Sequence, residues 1–202
     1  MIDYNNIKKH NDGYAYILIC VDVFTKFVRA VPIMDKSARS MVSAFSTFDI
    51  LPKFVWADKG KEFYNKPLQA FFNQNGVKLY STYSESKSVI AERFNRTFKN
   101  WMQLHFTMSN SWRWINTWEE IIRQYNDRVH STTKVKPKDA DKKEFLEKVC
   151  NNLYRNYDNQ AEILPRNTLK VGDYVRVSRD KSLRKAIITI GVKKFSKSGK
   201  LL

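Results

Sequence analysis

The sequence predicts an α/β domain built on a mixed five-stranded sheet with helices on its faces. Residues 14–24 form a nearly continuous apolar, β-favouring run, which is typical of a central strand covered on both sides. Residues 27–33 alternate in polarity, which favours an antiparallel neighbour of that strand. From Ser37 the apolar period becomes that of a helix. The chain therefore begins with antiparallel strands and continues with helical crossovers.

The later elements are short, and their boundaries carry local signals. Ser37 is a plausible N-cap, and Pro67 and Gly76 bracket a helix in the expected orientation. Three strands followed by helical crossovers that add parallel strands give the order of a ribonuclease-H-like domain. The predicted elements are strands at 1–4, 14–24 and 27–33, a helix at 37–48, a strand at 53–57, a helix at 68–75, a strand at 77–81, and helices from Val89, from Trp112 to Tyr125 and at 146–157.

Composition excludes several classes of protein. The 202 residues are 43% hydrophobic and 14% aromatic, enough for a full core, so global disorder is not expected. No apolar run approaches the ~20 residues of a membrane span, and residues 1–10 lack a signal-peptide core, so we expect no membrane partner and an intracellular location. Cys20 and Cys150 favour free thiols over a disulfide. The three histidines and two cysteines show no zinc spacing.

Positive charge is concentrated near one end of the sequence. The net charge is +16, and residues 165–202 hold eleven Lys and Arg against two Asp, a net +9. Charge of this density favours a polyanion such as nucleic acid, with a solvated surface as the alternative.

Two acids stand where they could share a cation. Asp58 follows the apolar run 54–57 and precedes Gly60, which predicts a carboxylate at the exit of a strand. Glu92 lies 34 positions later in a helical pattern. Carboxylates on separate elements that meet in a fold either repel each other or bind a cation, and oxygen ligands suit Mg²⁺ or Mn²⁺.

The residues around these acids resemble a known family. Residues 58–65 read Asp-Lys-Gly-Lys-Glu-Phe-Tyr-Asn, residues 81–84 read Ser-Thr-Tyr-Ser, and residues 92–97 read Glu-Arg-Phe-Asn-Arg-Thr. Over about residues 1–140 the chain resembles the integrase catalytic core of retroviruses and long-terminal-repeat retrotransposons. It looks most like the integrases of large self-synthesising DNA transposons of the Polinton/Maverick type.

This resemblance implies a DNA integrase or transposase of a mobile element. The implied reactions are metal-dependent 3′-end processing and strand transfer of element DNA into target DNA, with Mg²⁺ or Mn²⁺ as cofactor. The implied partners are element ends, target DNA and further copies of the chain, and the implied location is the nucleus. The alternatives are a catalytically inactive or domesticated nucleic-acid-binding relic, and a ribonuclease-H-type nuclease acting on hybrids.

The resemblance implies Asp3, Asp58 and Glu92 as the catalytic and metal-binding acids. Asp3 stands about where one group of retrotransposon integrases has its first ligand, whereas transposon integrases often have another Asp about three positions earlier. Asp22, at the end of a strand, is expected to be a structural acid that accepts bonds from the following turn. Glu62 is close to Asp58 in sequence and is expected in the second shell, with direct metal contact as the alternative.

Basic residues are expected to contact DNA phosphates. Arg96 and Lys99 share a helix face with Glu92, and the alternative for Arg96 is an i, i+4 salt bridge to Glu92. Asn95 matches the motif and is expected to orient the polar loop at 83–88. Phe94, Phe98 and Trp101 are expected in the core. The other predicted DNA contacts are Lys87, Arg176, Arg179, Lys181, Arg184 and Lys185.

The chain divides into three predicted parts. The catalytic core spans 1–140, a helical linker spans 141–164, and a basic β segment spans 165–202. Residues 169–177 resemble the opening strand of the SH3-like barrel that follows many integrase cores. The segment is short for five strands, so we expect an incomplete barrel.

Overall fold

The structure, a computed structural model, describes residues 1–81 and 89–161, with side chains described as far as residue 154. The chain forms two compact units, Met1–Asn156 and Tyr157–Leu202. The predicted SH3-like segment lies outside the described residues. So do Lys87 and the five predicted basic contacts between 176 and 185.

The described strands form two sheets. In the first, β1 (Ile2–Asp3), β2 (Tyr16–Val21) and β3 (Val28–Ile33) pair antiparallel, with Ile2 opposite Ile17 and Val21 opposite Val28. In the second, β4 (Phe54–Trp56) pairs parallel with β5 (Lys78–Tyr80). The prediction of one five-stranded sheet differs from this arrangement. Strand β1 has only two residues and forms a short ladder with β2. Among the described strands, β4 pairs with β5 alone.

Five α-helices are present in the described residues. They are α1 (Ala38–Ser46), α2 (Lys66–Gln74), α3 (Val89–Ser109), α4 (Trp118–Asp127) and α5 (Lys143–Ala161). The predicted cap of α1 is confirmed, since Ser37 accepts a hydrogen bond from the backbone N–H of Ser40 at 3.2 Å. Helix α2 is capped by Asn65, which accepts from the N–H of Leu68 at 2.9 Å. None of the helices within the described ranges is long and apolar enough to cross a membrane.

Helix α4 begins later than the sequence indicated. The predicted start at Trp112 is wrong, because the buried side chain of Asn11 binds the backbone of this segment. Its Oδ1 accepts from the N–H groups of Trp114 and Ile115 at 2.6 and 3.1 Å, and its Nδ2 donates to the carbonyl of Trp112 at 3.0 Å. These bonds hold residues 112–115 outside the helix, and α4 starts at Trp118 after a turn at 115–117.

The two faces of the first sheet cover separate cores. Strand β2 alternates between them: Ile17 and Ile19 pack with α3 and α4, whereas Leu18 packs with α1 and α2. Phe94 and Phe98 of α3 are buried in the first core and Trp101 packs against it, which confirms the expected role of these aromatic residues. The described residues therefore form an α/β architecture with helices on both faces of the first sheet.

Candidate active site

The backbone that leads into Asp58 is fixed by β5. The N–H of Ala57 donates to the carbonyl of Tyr80 at 3.2 Å, which extends the β4–β5 ladder by one residue. The hydroxyl of Ser81 donates to the carbonyl of Ala57 and lies 2.7 Å from the hydroxyl of Tyr64. Ala57 is buried against the α1–α2 core, and Asp58 directly after it is exposed. The predicted carboxylate at a strand exit is therefore held on a rigid edge.

Glu62 folds back over Gly60. A Cβ atom added to Gly60 would lie 2.5 Å from Oε2 of Glu62, closer than side chains approach each other. The turn is closed by the N–H groups of Phe63 and Tyr64, which donate to the carbonyl of Gly60 at 3.0 and 3.3 Å. The role of Gly60 in making room for Glu62 was not predicted. The available signal was the presence of a glycine two positions before an acid.

Asp58 and Glu62 both act on the amino group of Met1. Burial lowers the pKa of this amino group, and Cys20, Asp58 and Glu62 oppose that effect by favouring its charged form. Both carboxylates therefore favour a charged amino group at the start of β1.

Asp3 faces away from helix α3. Ile2 is buried in the core formed with α3 and α4, so alternation along β1 directs Asp3 to the opposite face. Its pairing partner Tyr16 packs on that opposite, α1–α2 side. The Oδ1 atom of Asp3 accepts from the backbone N–H of Asn5 at 2.9 Å, as in an Asx turn. Asp3 therefore lies on the α1–α2 side of the first sheet, and its approach to Glu92 stays a prediction.

Glu92 lies in the first turn of α3, where a negative charge is favoured by the helix dipole. Glu92, Arg96 and Lys99 are all exposed. No ion pair joins Glu92 to Arg96 within the described parts of the chain, so the alternative of an i, i+4 salt bridge is not formed. A carboxylate and two cations therefore stand along one exposed face of this helix.

Asn95 adds an unsatisfied acceptor one turn after Glu92. Its Oδ1 is buried and accepts no hydrogen bond from the described residues. Buried polar atoms without partners are rare and often mark functional sites. Asn95 therefore has an acceptor that a ligand or a neighbouring segment can use.

Asp22 has the structural role expected of it. Its Oδ1 accepts from the N–H groups of Phe24 and Thr25 at 3.0 and 2.6 Å, and from the hydroxyl of Thr25 at 2.7 Å. Lys26, at φ 64°, completes the turn. The prediction that Asp22 holds the turn after its strand is confirmed.

The fit to a divalent cation is incomplete in this geometry. Among the side chains described in residues 1–81 and 89–154, no three His, Cys, Asp or Glu are grouped so that they could hold a metal ion. Asp3, Asp58 and Glu92 have the hard oxygen atoms that Mg²⁺ prefers, and their joint role as ligands stays a prediction. Cys20 and Cys150 are free thiols, as expected, and burial raises the pKa of Cys20 to about 12.

Comparison with known sequences finds similarity to a transposon-derived protein and to retroviral polyproteins. No family model matches the chain. An uncharacterised transposon-derived protein of Caenorhabditis elegans is 29% identical over 142 residues, which cover 68% of this chain and 50% of that protein. The Pol polyprotein of Feline endogenous virus ECE1 is 33% identical over 105 residues, which cover 48% of this chain and 10% of the polyprotein. The chain thus matches half the length of the first relative and a tenth of the second.

Comparison with solved structures identifies the fold. The catalytic core domain of HTLV-2 integrase, solved in complex with magnesium, superposes with a TM-score of 0.53 at 19% identity, covering 61% of this chain and 82% of that one. The simian T-cell lymphotropic virus intasome, solved with the PP2A regulatory subunit B56 gamma, gives 0.56 at 14% identity, covering 84% and 56%. The chain is therefore homologous to a segment of retroviral Pol polyproteins, and its fold is similar to that of retroviral integrase catalytic cores.

Proposed function

We propose that this chain is the catalytic core of a DNA integrase or transposase of a mobile element. The proposed activity is polynucleotidyl transfer: 3′-end processing of element DNA and its strand transfer into target DNA. The observation that supports it most is the location of two exposed acids on particular elements of an integrase-like fold. Asp58 follows the end of β4, and Glu92 lies in the first turn of α3.

The charges along α3 support DNA as the substrate. Arg96 and Lys99 are exposed beside Glu92 and make no ion pair with the described acids. Exposed cations with no acid partner are suited to phosphate oxygens, and they place a DNA strand next to the carboxylate. The net charge of +16 favours the same partner over the whole chain.

Mg²⁺ or Mn²⁺ is proposed as the cofactor, with Asp58 and Glu92 as ligands. The chemistry of the donors supports this, because both metals prefer carboxylate oxygens. Asp3 stays the predicted third ligand, and its side chain lies on the α1–α2 side of the first sheet. Glu62 stays the predicted supporting acid near Asp58 in the sequence.

Assembly, element type and location are parts of the same proposal. Related integrase structures are described as dimeric and trimeric catalytic cores and as an intasome. We propose that this chain likewise forms a homo-oligomer on DNA, that its element is of the Polinton/Maverick type, and that it acts in the nucleus.

A strand-transfer assay with the element's own terminal repeats and Mg²⁺ tests the activity. We expect Glu92→Gln to abolish strand transfer while DNA affinity changes little, because the amide keeps the shape of the side chain and removes its charge. The matched control is Glu119→Gln, which changes an exposed acid in the first turn of another helix, α4. Strand transfer retained in Glu92→Gln would refute the role given to Glu92.

A second candidate function is that of an inactive nucleic-acid-binding relic. It is favoured by one observation, the orientation of Asp3 away from α3. This candidate predicts DNA binding by the unaltered chain with no Mg²⁺-dependent product at any concentration of the metal. The strand-transfer assay therefore distinguishes the two candidates directly.

A further inference from the structure

A cavity of about 530 Å³ lies beside α3, away from the row formed by Glu92, Arg96 and Lys99. Arg93, Thr97 and Trp101 contribute to its wall from α3. Because a helix turns by about 100° per residue, these three residues lie roughly 130° around α3 from that row. The cavity is therefore a separate feature, and the proposed catalytic acids do not line it.

The wall of the cavity is basic and contains no acid. Four of its twelve lining residues are Lys26, Arg93, Arg128 and His130, and none is Asp or Glu. The heads of Arg93 and Arg128 are exposed, whereas Lys26 is 8% exposed. The nearby acids have other partners: Asp22 accepts three bonds from its turn, and Asp127 pairs with Lys136 and Lys138. The lining of the cavity thus carries positive charge and no negative charge.

The ring of His130 is held in one orientation in the cavity wall. The N–H of Thr132 donates to Nδ1 of His130 at 3.1 Å, so the neutral ring carries its proton on Nε2 as a donor. The backbone N–H of His130 donates to the carbonyl of Val135 at 3.0 Å, and the N–H of Lys134 donates to the carbonyl of His130 at 2.9 Å. The ring of Tyr125 packs edge-on against Phe94 at 4.7 Å and against His130 at 6.2 Å. The position of this imidazole is therefore set by its neighbours.

We propose that this cavity binds a phosphate group, as a site separate from the catalytic acids. Two guanidinium groups, an ammonium and the hydroxyls of Ser131 and Thr132 supply the cations and donors that phosphate oxygens require. Its volume falls within the usual range of ligand pockets. The phosphate comes either from a DNA strand that extends around α3 or from a small phosphorylated molecule, and the chemistry of recognition is the same.

The electrostatics of the site favour the binding of an anion. Burial and, second, the positive charge of Lys26 lower the pKa of His130. Burial lowers the pKa of Lys26 as well, with Asp22 opposing and Arg93 adding to the effect. A bound phosphate would stabilise the charged forms of both groups, so His130 reports on occupancy.

Nuclear magnetic resonance of the histidine rings in the full chain tests the proposal. The chain has three histidines, so the signal of His130 can be assigned with His130→Gln. The probes are inorganic pyrophosphate and a DNA duplex of about 20 base pairs, without divalent metal. We expect pyrophosphate to shift the His130 signal and raise its pKa. Sodium chloride at the same ionic strength should leave both unchanged.

The matched variants separate this cavity from general surface charge. We expect Arg93→Gln combined with Arg128→Gln to weaken pyrophosphate binding by at least about tenfold, because two charge-assisted contacts are lost. Arg123→Gln on α4 removes one charge from an arginine that pairs with Glu120 and should leave binding unchanged. A His130 shift with both probes assigns the site to DNA, and a shift with pyrophosphate alone assigns it to a small phosphate. No shift, or the same shift with chloride, overturns the proposal whatever the outcome of the strand-transfer assay.

Discussion

The turns after β2 and after β4 each begin with an aspartate, and the bonds shown to close them differ. After β2, Oδ1 of Asp22 accepts three hydrogen bonds from Phe24 and Thr25 and closes the turn. After β4, the N–H groups of Phe63 and Tyr64 donate to the carbonyl of Gly60. A side chain therefore closes the first turn, whereas backbone groups close the second, which follows the exposed Asp58. The first arrangement gives its aspartate a structural role, and the second is compatible with a role in chemistry.

The largest contrast between the two turns should appear in activity. Asp58→Asn is expected to lower the rate of strand transfer by about a hundred- to a thousandfold, the usual effect of removing one group that stabilises the transition state. Asp22→Asn should leave the rate per folded molecule within severalfold of the original. Both rates are measured with Mg²⁺ and the element's terminal repeats. Equal losses in the two variants would contradict the contrast.

The free energy of unfolding should depend more on Asp22 than on Asp58. Asp22→Ala is expected to lower the free energy of unfolding by about 2 kcal/mol, because two backbone N–H groups and a hydroxyl lose their acceptor. Urea denaturation followed by tryptophan fluorescence measures this change. Asp49→Ala removes an exposed acid from the segment before β4 and is the control, with an expected change within about 0.5 kcal/mol.

Gly60 offers a test of the second turn alone. Gly60→Ala is expected to lower the free energy of unfolding by at most about 1 kcal/mol, because the added methyl group meets the Glu62 carboxylate, the end of a flexible side chain that can move aside. Combining it with Glu62→Ala removes the clashing group and should recover most of that loss. If the double variant is as unstable as Gly60→Ala, the backbone and not the carboxylate explains the need for glycine.

The smallest effect concerns the cations beside Glu92. Arg96→Gln should reduce the slope of log affinity for duplex DNA against log salt concentration by about 0.9, the value for one phosphate contact. Fluorescence anisotropy at several salt concentrations measures the slope. Arg123→Gln removes the same charge from an arginine that already pairs with Glu120, and its slope should not change.

Local signals predicted much of the fold because they act over a few residues. The cap at Ser37, the helix from Val89 and the strand before Asp58 depend on neighbouring residues, and the structure confirms them. The segment 112–117 has helix-compatible spacing, but Asn11 binds its backbone from about a hundred residues away. No local pattern contains that interaction, so the start of α4 could not be predicted.

The sequence by itself determined the kind of element at each acid: Asp58 at a strand exit and Glu92 at a helix start, each followed by its motif. Only the tertiary structure decided which face of a strand is buried and which neighbour covers it. Register is the physical reason, because pairing Ile2 with Ile17 turns Asp3 toward the α1–α2 face, while the ladder between β4 and β5 buries Ala57 and exposes Asp58. A strand pattern gives two alternating faces, and only packing assigns each face to a neighbour.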